Sequence, residues 1–307
     1  MNRKLIVILG PTACGKTKLA VRLAAKYQGE IISADSRQVY RGMDIGTGKD
    51  LADYVVKNKS GKKIKIPYHL IDVVSPKTDY NVSKYQKAAY RAVEDVLSRE
   101  KTPFLTGGTG LYLDAVTKGY VFGLVDSKKS KEVRDKLNKL TLPQLLLRLK
   151  KVDSKIYQAI DQKNRRRVQR ALEIYLLTGK SKADQPARKL PDYEILTIGI
   201  KFPIEVIYEK IAKRMKDWFK HGMIEEVERL RKEGVSWKRL DSFGLEYRYV
   251  VKYLRGQMDY ESMLIELEGE LRHFAKRQLT WFKRDENIVW IEDLAQIERL
   301  VDKFLKR

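Results

Sequence analysis

Through its first third the chain alternates short apolar runs with longer stretches whose apolar residues recur every three or four positions. "LIVILG" (Leu5–Gly10) precedes a helical spacing over Lys16–Tyr27, and "EIISAD" (Glu30–Asp35) and "YHLIDVV" (Tyr68–Val74) are further strand-like runs. Tyr85, Ala88, Ala89, Ala92, Val93 and Val96 predict a helix over 82–97, and "TPFLTGG" (Thr102–Gly108) predicts a fourth buried strand. Such alternation predicts a parallel sheet with helices on its faces. The rhythm then changes. Ser127–Thr178 reads as helical with no strand candidate, and "EILTIGI" (Glu194–Ile200) reads as a strand returning to the sheet. Helices are predicted around Pro203–Lys220, Ile224–Lys232, Leu245–Leu254 and Tyr260–Lys283, with "NIVWIE" (Asn287–Glu292) as a last strand.

Composition narrows the class. With 307 residues, 43% apolar and 34% charged, the chain reads as soluble and globular. No apolar run reaches the roughly 18–20 residues that span a bilayer, and "KLIVILG" is too short for a signal-peptide core. One cysteine, Cys14, excludes an internal disulfide, and His69, His221 and His273 lack zinc spacing, so a cytoplasmic protein without a metal cage is expected. The net charge is +23. Residues 127–190 hold 19 Lys/Arg against 6 Asp/Glu, a net of +13. Clustered cations gain affinity for polyanions by releasing phosphate counterions, so this stretch is read as a polyanion-binding lobe.

"GPTACGKT" matches the phosphate-binding loop G-x-x-x-x-G-K-[ST] and lies between a predicted strand and a predicted helix, where its mechanism needs it. Gly10, Pro11, Thr12, Ala13, Cys14, Gly15, Lys16 and Thr17 are the candidate diphosphate-binding residues. Backbone amides and the helix N-terminus face the anion, Lys16 adds a full charge, and the Thr17 hydroxyl is placed to ligate Mg²⁺ held by the phosphates. Cys14 is read as a small filler that serine could replace. The expected fold is therefore α/β: a P-loop NTPase-like parallel sheet flanked by helices, with a catalytic core over 1–122 and 190–307. An all-helical basic insertion over 123–189 and a helical C-terminal part complete it. The loop by itself leaves open whether phosphate is transferred or leaves as diphosphate.

Seven blocks occur in one order: "GPTACGKT", "ISADSRQVYRGMDIGTGK", "YHLIDVVSP", "FLTGGTGLYLDAV", "RRRVQRALEIYLLTGK", "HGMIEEVERLRKEG" and "FAKRQLTWFKRDENIVWI". Together, from Leu5 to about Ile291, they closely resemble the tRNA dimethylallyltransferases, which prenylate the adenosine next to the anticodon. The resemblance implies that N6 of that adenosine, at position 37 of tRNAs reading U-starting codons, attacks C1 of dimethylallyl diphosphate, and diphosphate departs. It implies Mg²⁺ as cofactor, with Lys16, Thr17, Asp35 and Thr109 at the reacting centre. Asp35 is the expected general base, at a strand end where α/β sheets put their sites. Asp35, Ser36, Arg37, Gln38 and Thr109 would meet the tRNA, and Arg214 would add charge against the diphosphate. Asp72 is either a magnesium-side acid or a buried strand end.

In "NRRRVQRALEIY" (Asn164–Tyr175), Val168, Ala171, Leu172, Tyr175 and Leu176 fall on one helix face, and Arg166, Arg167 and Arg170 on the other. The resemblance implies a tRNA-binding helix, so Arg166, Arg167, Val168, Gln169 and Arg170 are candidates, with Arg134 in the preceding segment. Relatives usually carry glutamine at the position aligned with Arg166. In "HFAKRQLTWFKR", His273, Arg277 and Arg284 are expected near an RNA-facing edge, with Phe274, Trp281 and Phe282 packed inward. A target base stacked in an anticodon loop must be extruded at a cost of a few kcal/mol, which phosphate contacts can offset. An adenylate isopentenyltransferase would share the loop and Asp35 but not need the basic lobe; a small-molecule kinase would leave "GGTGLYL" unexplained. A monomer with no obligate protein partner and no membrane is expected, and the absence of a cysteine-rich C-terminal finger matches the short bacterial form.

Overall fold

The computed structural model describes residues 3–57, 61–122, 128–184 and 189–306. The chain divides into one unit of Met1–Thr117 with Pro191–Arg307, and a second of Lys118–Leu190. Residues 123–127 and 185–188 of the expected insertion lie outside the described residues. No helix among the described residues is long and apolar enough to cross a membrane.

The first unit is built on six strands: β1 (Lys4–Leu9), β2 (Gly29–Ser33), β5 (Tyr68–His69), β6 (Thr102–Gly107), β7 (Glu194–Ile200) and β8 (Val289–Ile291). Their order is β5-β2-β6-β1-β7-β8, and every pairing is parallel. A separate antiparallel hairpin joins β3 (Val55–Lys57) to β4 (Lys63–Lys65). Strand side chains alternate between faces. Ile6 and Ile8 of β1 pack with Ala20, Val21 and Leu23 of α1 (Lys16–Lys26) and with Ile297 and Val301 of α13 (Leu294–Lys306). Leu5, Val7 and Leu9 face α2 (Val82–Ser98) and α3 (Gly110–Thr117). A second core forms where α8 (Ile204–Lys220), α9 (Met223–Lys232), α10 (Trp237–Asp241), α11 (Leu245–Leu254) and α12 (Tyr260–Phe282) pack around Val39, Tyr40 and Met43.

Two expectations change in this unit. The run Tyr68–Val74 is a strand for only two residues, because Leu70 and Asp72 take φ of 64° and 56° and leave the ladder. Asp72 and Val74 then donate backbone hydrogen bonds to Gln38 and Val39. Phe274 is exposed; the buried stripe of α12 is Leu267, Leu271, Ala275, Gln278 and Phe282, with a glutamine among its apolar members.

The second unit is helical: α4 (Lys128–Asn138), α5 (Leu142–Val152), α6 (Ser154–Ala159) and α7 (Arg165–Thr178). Leu137, Leu145, Leu149, Val168, Ala171 and Leu172 form its core. Thr141 caps α5 in a reciprocal capping box with Gln144, and Asn164 caps α7. Leu176 is half exposed, and Glu173 and Ile174 are buried in its stead.

Candidate active site and arginine-bearing helix

The strand order places β2, β6 and β1 side by side, so the loops leaving their C-terminal ends share one edge of the sheet. From β1 comes the phosphate loop. Ala13 and Gly15 take φ of 62° and 82°, wrapping the backbone, and a Cβ on Gly10 would stand 2.6 Å from Cys14 Sγ. No side chain caps α1, which leaves its N-terminal amides to the loop's concave side. Lys16 Nζ donates to the Pro11 carbonyl at 3.1 Å.

From β2 comes Asp35. Its Oδ1 accepts from the amides of Arg37 (2.7 Å) and Gln38 (3.3 Å), which fixes the carboxylate in a turn and leaves Oδ2 without a partner among the described residues. From β6 comes Thr109, whose amide donates to the Ala34 carbonyl at 3.3 Å and whose Oγ1 accepts from the Ser36 amide at 3.1 Å. Asp35 is thus bracketed by two contacts to Thr109. Gly107 permits this approach, since a Cβ there would meet Ala34 O at 2.2 Å.

Gln278, which sequence reasoning missed, links the loops. Its Oε1 accepts from the Thr12 amide and its Nε2 donates to Gly108 O, both at 2.8 Å. A Cβ on Gly108 would lie 2.5 Å from Gln278 Nε2 and 3.5 Å from Lys16 Nζ, so phosphate loop, β6 turn and glutamine are in close contact. The available signal was a polar residue on a buried helical stripe.

Much of the block 35–49 serves the fold. Gln38 accepts from Ser33 Oγ at 3.0 Å and donates to Gly48 O at 3.0 Å, so its amide is an internal strut. Lys49 is buried, donating to Tyr40 O at 2.8 Å and pairing with Asp44 at 2.6 Å and with Asp72. Asp72 therefore answers a buried cation. Glu226 accepts from the amides of Asp44, Ile45 and Gly46 at 2.7, 2.8 and 3.2 Å and from the Tyr247 hydroxyl at 2.6 Å. Arg214 lies over Trp218 and donates to Gly48 O (3.2 Å) and Asp50 (3.0 Å). Gly48 takes φ 56°, which side-chain-bearing residues rarely adopt, and a Cβ there would fall 1.6 Å from Arg214 Nη2 and displace that guanidinium. Arg37 and half-buried Glu246 approach each other over Gly244. Burial pushes the Glu246 carboxyl up to about 6, against the pull of Arg37 and Arg214.

In the second unit, Arg134 and Arg170 converge on one acid. Glu173 accepts from Arg134 Nε and Arg170 Nη1 at 2.9 Å each and from Ser130 Oγ at 2.7 Å. Burial raises its carboxyl, but Arg170, Ser130 and Arg134 outweigh that and hold it below the ordinary value. Arg166 and Arg167 are exposed without an ion-pair partner among the described residues, and Gln169 donates to Asn138 at 2.8 Å. Val168 is fully buried in the unit's core; its side chain supports the helix and has no route to a ligand.

Comparison with known proteins places this geometry. The family model described as IPP transferase matches residues 38–285, and one described as isopentenyl transferase matches 3–60. A tRNA dimethylallyltransferase 1 from Syntrophus aciditrophicus is 45% identical over 296 residues, covering 95% of this chain and 94% of the relative. A tRNA dimethylallyltransferase 2 from Treponema denticola is 43% identical over 284 residues, covering 92% of each. Among solved structures, a tRNA isopentenylpyrophosphate transferase from Bacillus halodurans matches with a TM-score of 0.69 at 35% identity, over 99% of this chain and 96% of that one. A eukaryotic dimethylallyltransferase acting on tRNA matches with a TM-score of 0.78 at 26% identity, over 95% and 75%. Its sheet is that of the P-loop NTPase-like neighbours, and the chain belongs to the IPP transferase family.

Proposed function

We propose that this chain transfers a dimethylallyl group from dimethylallyl diphosphate to N6 of the adenosine 3′ to the anticodon, position 37, in tRNAs reading U-starting codons. The N6 lone pair is delocalised into the purine ring, so the amine is a weak nucleophile and needs a good leaving group and a proton acceptor. N6 forms a bond to C1 of the allyl chain, the C1–O bond breaks, and its electron pair leaves with diphosphate. Asp35 Oδ2 accepts the N6 proton. The amides of Arg37 and Gln38 hold the other carboxylate oxygen, so the base is oriented before substrate arrives. Loop amides not already bonded within the protein, with Lys16, meet the charge that grows on the leaving group, while the Thr12 amide is held by Gln278. Thr109 and Ser36 orient the acceptor, and Arg214 completes the cationic side. On the second unit, Arg166 and Arg167 offer their guanidinium groups to RNA phosphates.

Magnesium fits this donor set. Among the described residues no three His, Cys, Asp or Glu side chains stand close enough to cage a metal. Mg²⁺ takes hard oxygen ligands and keeps several from water and substrate phosphates, for which one protein hydroxyl suffices. Thr17 would hold it, and the ion would neutralise charge on the diphosphate.

The observation that carries the reading is the bracketing of Asp35 by Thr109 at the edge shared with the phosphate loop. The test incubates the protein with Mg²⁺ and labelled dimethylallyl diphosphate, offering unmodified tRNA or AMP. Label in tRNA is expected. Label in AMP alone would make the acceptor a free nucleotide, and phosphorylation of a small acceptor from ATP without prenyl transfer would overturn the chemistry.

A further inference from the structure

Between the single turn Leu51–Tyr54 and β5 the chain forms the β3–β4 hairpin, and its two faces differ in kind. Val56 and Ile64 are partners across the ladder and pack against the core covered by α1. On the other face Lys57 stands directly across from Lys63, and Val55 across from Lys65, all four exposed. Like charges directly opposite each other weaken a ladder. Among the described residues neither Lys57 nor Lys63 forms an ion pair, and Asp53, the acid in the preceding turn, is taken by Lys18 at 3.6 Å.

Protection of strand edges does not explain this arrangement. Charge at an edge deters pairing with other chains, but a Lys–Glu pair would do that and stabilise the ladder as well. Elsewhere in the unit several cations are matched by acids: Lys26 by Glu298, Arg99 by Glu30 and Asp95, Lys201 by Glu292, and Arg229 by Glu233. The hairpin is also rooted beside the site. The turn at its base is tied to both sides of the site, Asp53 pairing with Lys18 of the helix that follows the phosphate loop and Asp50 holding Arg214.

We propose that the Lys57–Lys63 face is a docking surface for the phosphate backbone of the RNA acceptor, at nucleotides that do not react. The proposal rests on tRNA being the acceptor. Bound phosphates relieve the repulsion between the two ammonium groups, so the cost to the ladder is recovered on binding. Because both faces belong to one short ladder, the apolar face holds the lysines in register while the charged face docks.

The test is the double variant Lys57→Gln/Lys63→Gln, with affinity for an unmodified tRNA transcript measured across a KCl series. Each lost phosphate contact lowers the slope of log K against log salt by about 0.7–0.9, so a decrease of about 1.4–1.8 is expected, with affinity at low salt down about tenfold. The kcat at saturating tRNA and the KM for dimethylallyl diphosphate should be unchanged, and the melting temperature equal or higher, since repulsion has been removed. A wild-type salt slope and affinity in the variant would overturn the proposal. So would a lower melting temperature with reduced kcat, the signature of a merely structural hairpin. Wild-type protein that neither binds nor labels tRNA removes the acceptor assignment and this surface with it; labelling with an unchanged variant slope removes the surface alone.

Discussion

Replacing Gln278 by leucine removes a side chain that hydrogen-bonds both the phosphate loop and the β6 turn. Leucine nearly matches glutamine in volume, so the cavity term is small. Gly108 O is buried and loses its donor at about 1–3 kcal/mol, while half-buried Thr12 regains water for its amide and costs about 1 kcal/mol at most. A loss near 2–3 kcal/mol lies inside the ~5–15 kcal/mol of an ordinary domain, so the variant folds. Activity should fall further than stability. The amide fixes where the Thr12 end of the loop sits relative to Thr109, and a displacement on the order of 1 Å at a reacting centre costs about a hundredfold in rate. Steady-state and single-turnover prenylation of tRNA should show KM for the diphosphate raised and kcat lowered together, with tRNA affinity near wild type. Gln278→Glu makes the argument sharper. A carboxylate still accepts from the Thr12 amide but repels Gly108 O and the diphosphate; once protonated, it donates again. Its activity relative to wild type should therefore climb as the pH is lowered toward about 6. Wild-type KM and kcat in Gln278→Leu, or a pH-independent Gln278→Glu deficit, would refute the positioning role.

Asp35→Asn keeps an oxygen for the Arg37 and Gln38 amides, so the turn should survive while the single-turnover rate falls by about 10²–10⁴, the usual worth of a general base. A decrease below about tenfold would move the base elsewhere. Lys49→Met leaves Asp72 and Asp44 without their cation; both are partly exposed and can rehydrate, so urea denaturation should show a loss of about 1–3 kcal/mol rather than the full cost of a buried orphan charge. Glu173 has a carboxyl held below its ordinary value of 4.5, so it adds stability that is complete above that value and is lost as the pH falls through the lowered one. Glu173→Gln should flatten that acid limb in denaturation measured across pH, and an unchanged limb would assign the acid sensitivity to another group.

The sheet and the phosphate loop were readable because their signals are local: an apolar run, a glycine turn and a helical spacing lie within thirty residues. What escaped was set by distant partners. Leu70 and Asp72 leave the third strand, and Asp72 meets Gln38 and Lys49, which no periodicity relates to it. The β3–β4 hairpin is short and diluted by lysines, so its apolar alternation is only Val56 and Ile64. Gln278 and Glu226 sit on apolar helix faces, where their spacing predicts burial, but only the structure shows backbone amides waiting for them. The block 32–49 shows the consequence most clearly. Its density of uncommon residues reads as chemistry, yet within it Asp35 presents to the sheet edge a carboxylate oxygen with no partner among the described residues, whereas Gln38, Gly48 and Lys49 are spent on folding the turn. A motif can therefore identify a family as strongly through its struts as through its reactive groups. The two are separated by asking, for each polar atom, whether the protein already supplies its partner. By that criterion Asp35, Arg166 and Arg167 remain available to a ligand, while Gln38, Asp72, Arg134 and Arg170 hold the surfaces that present them.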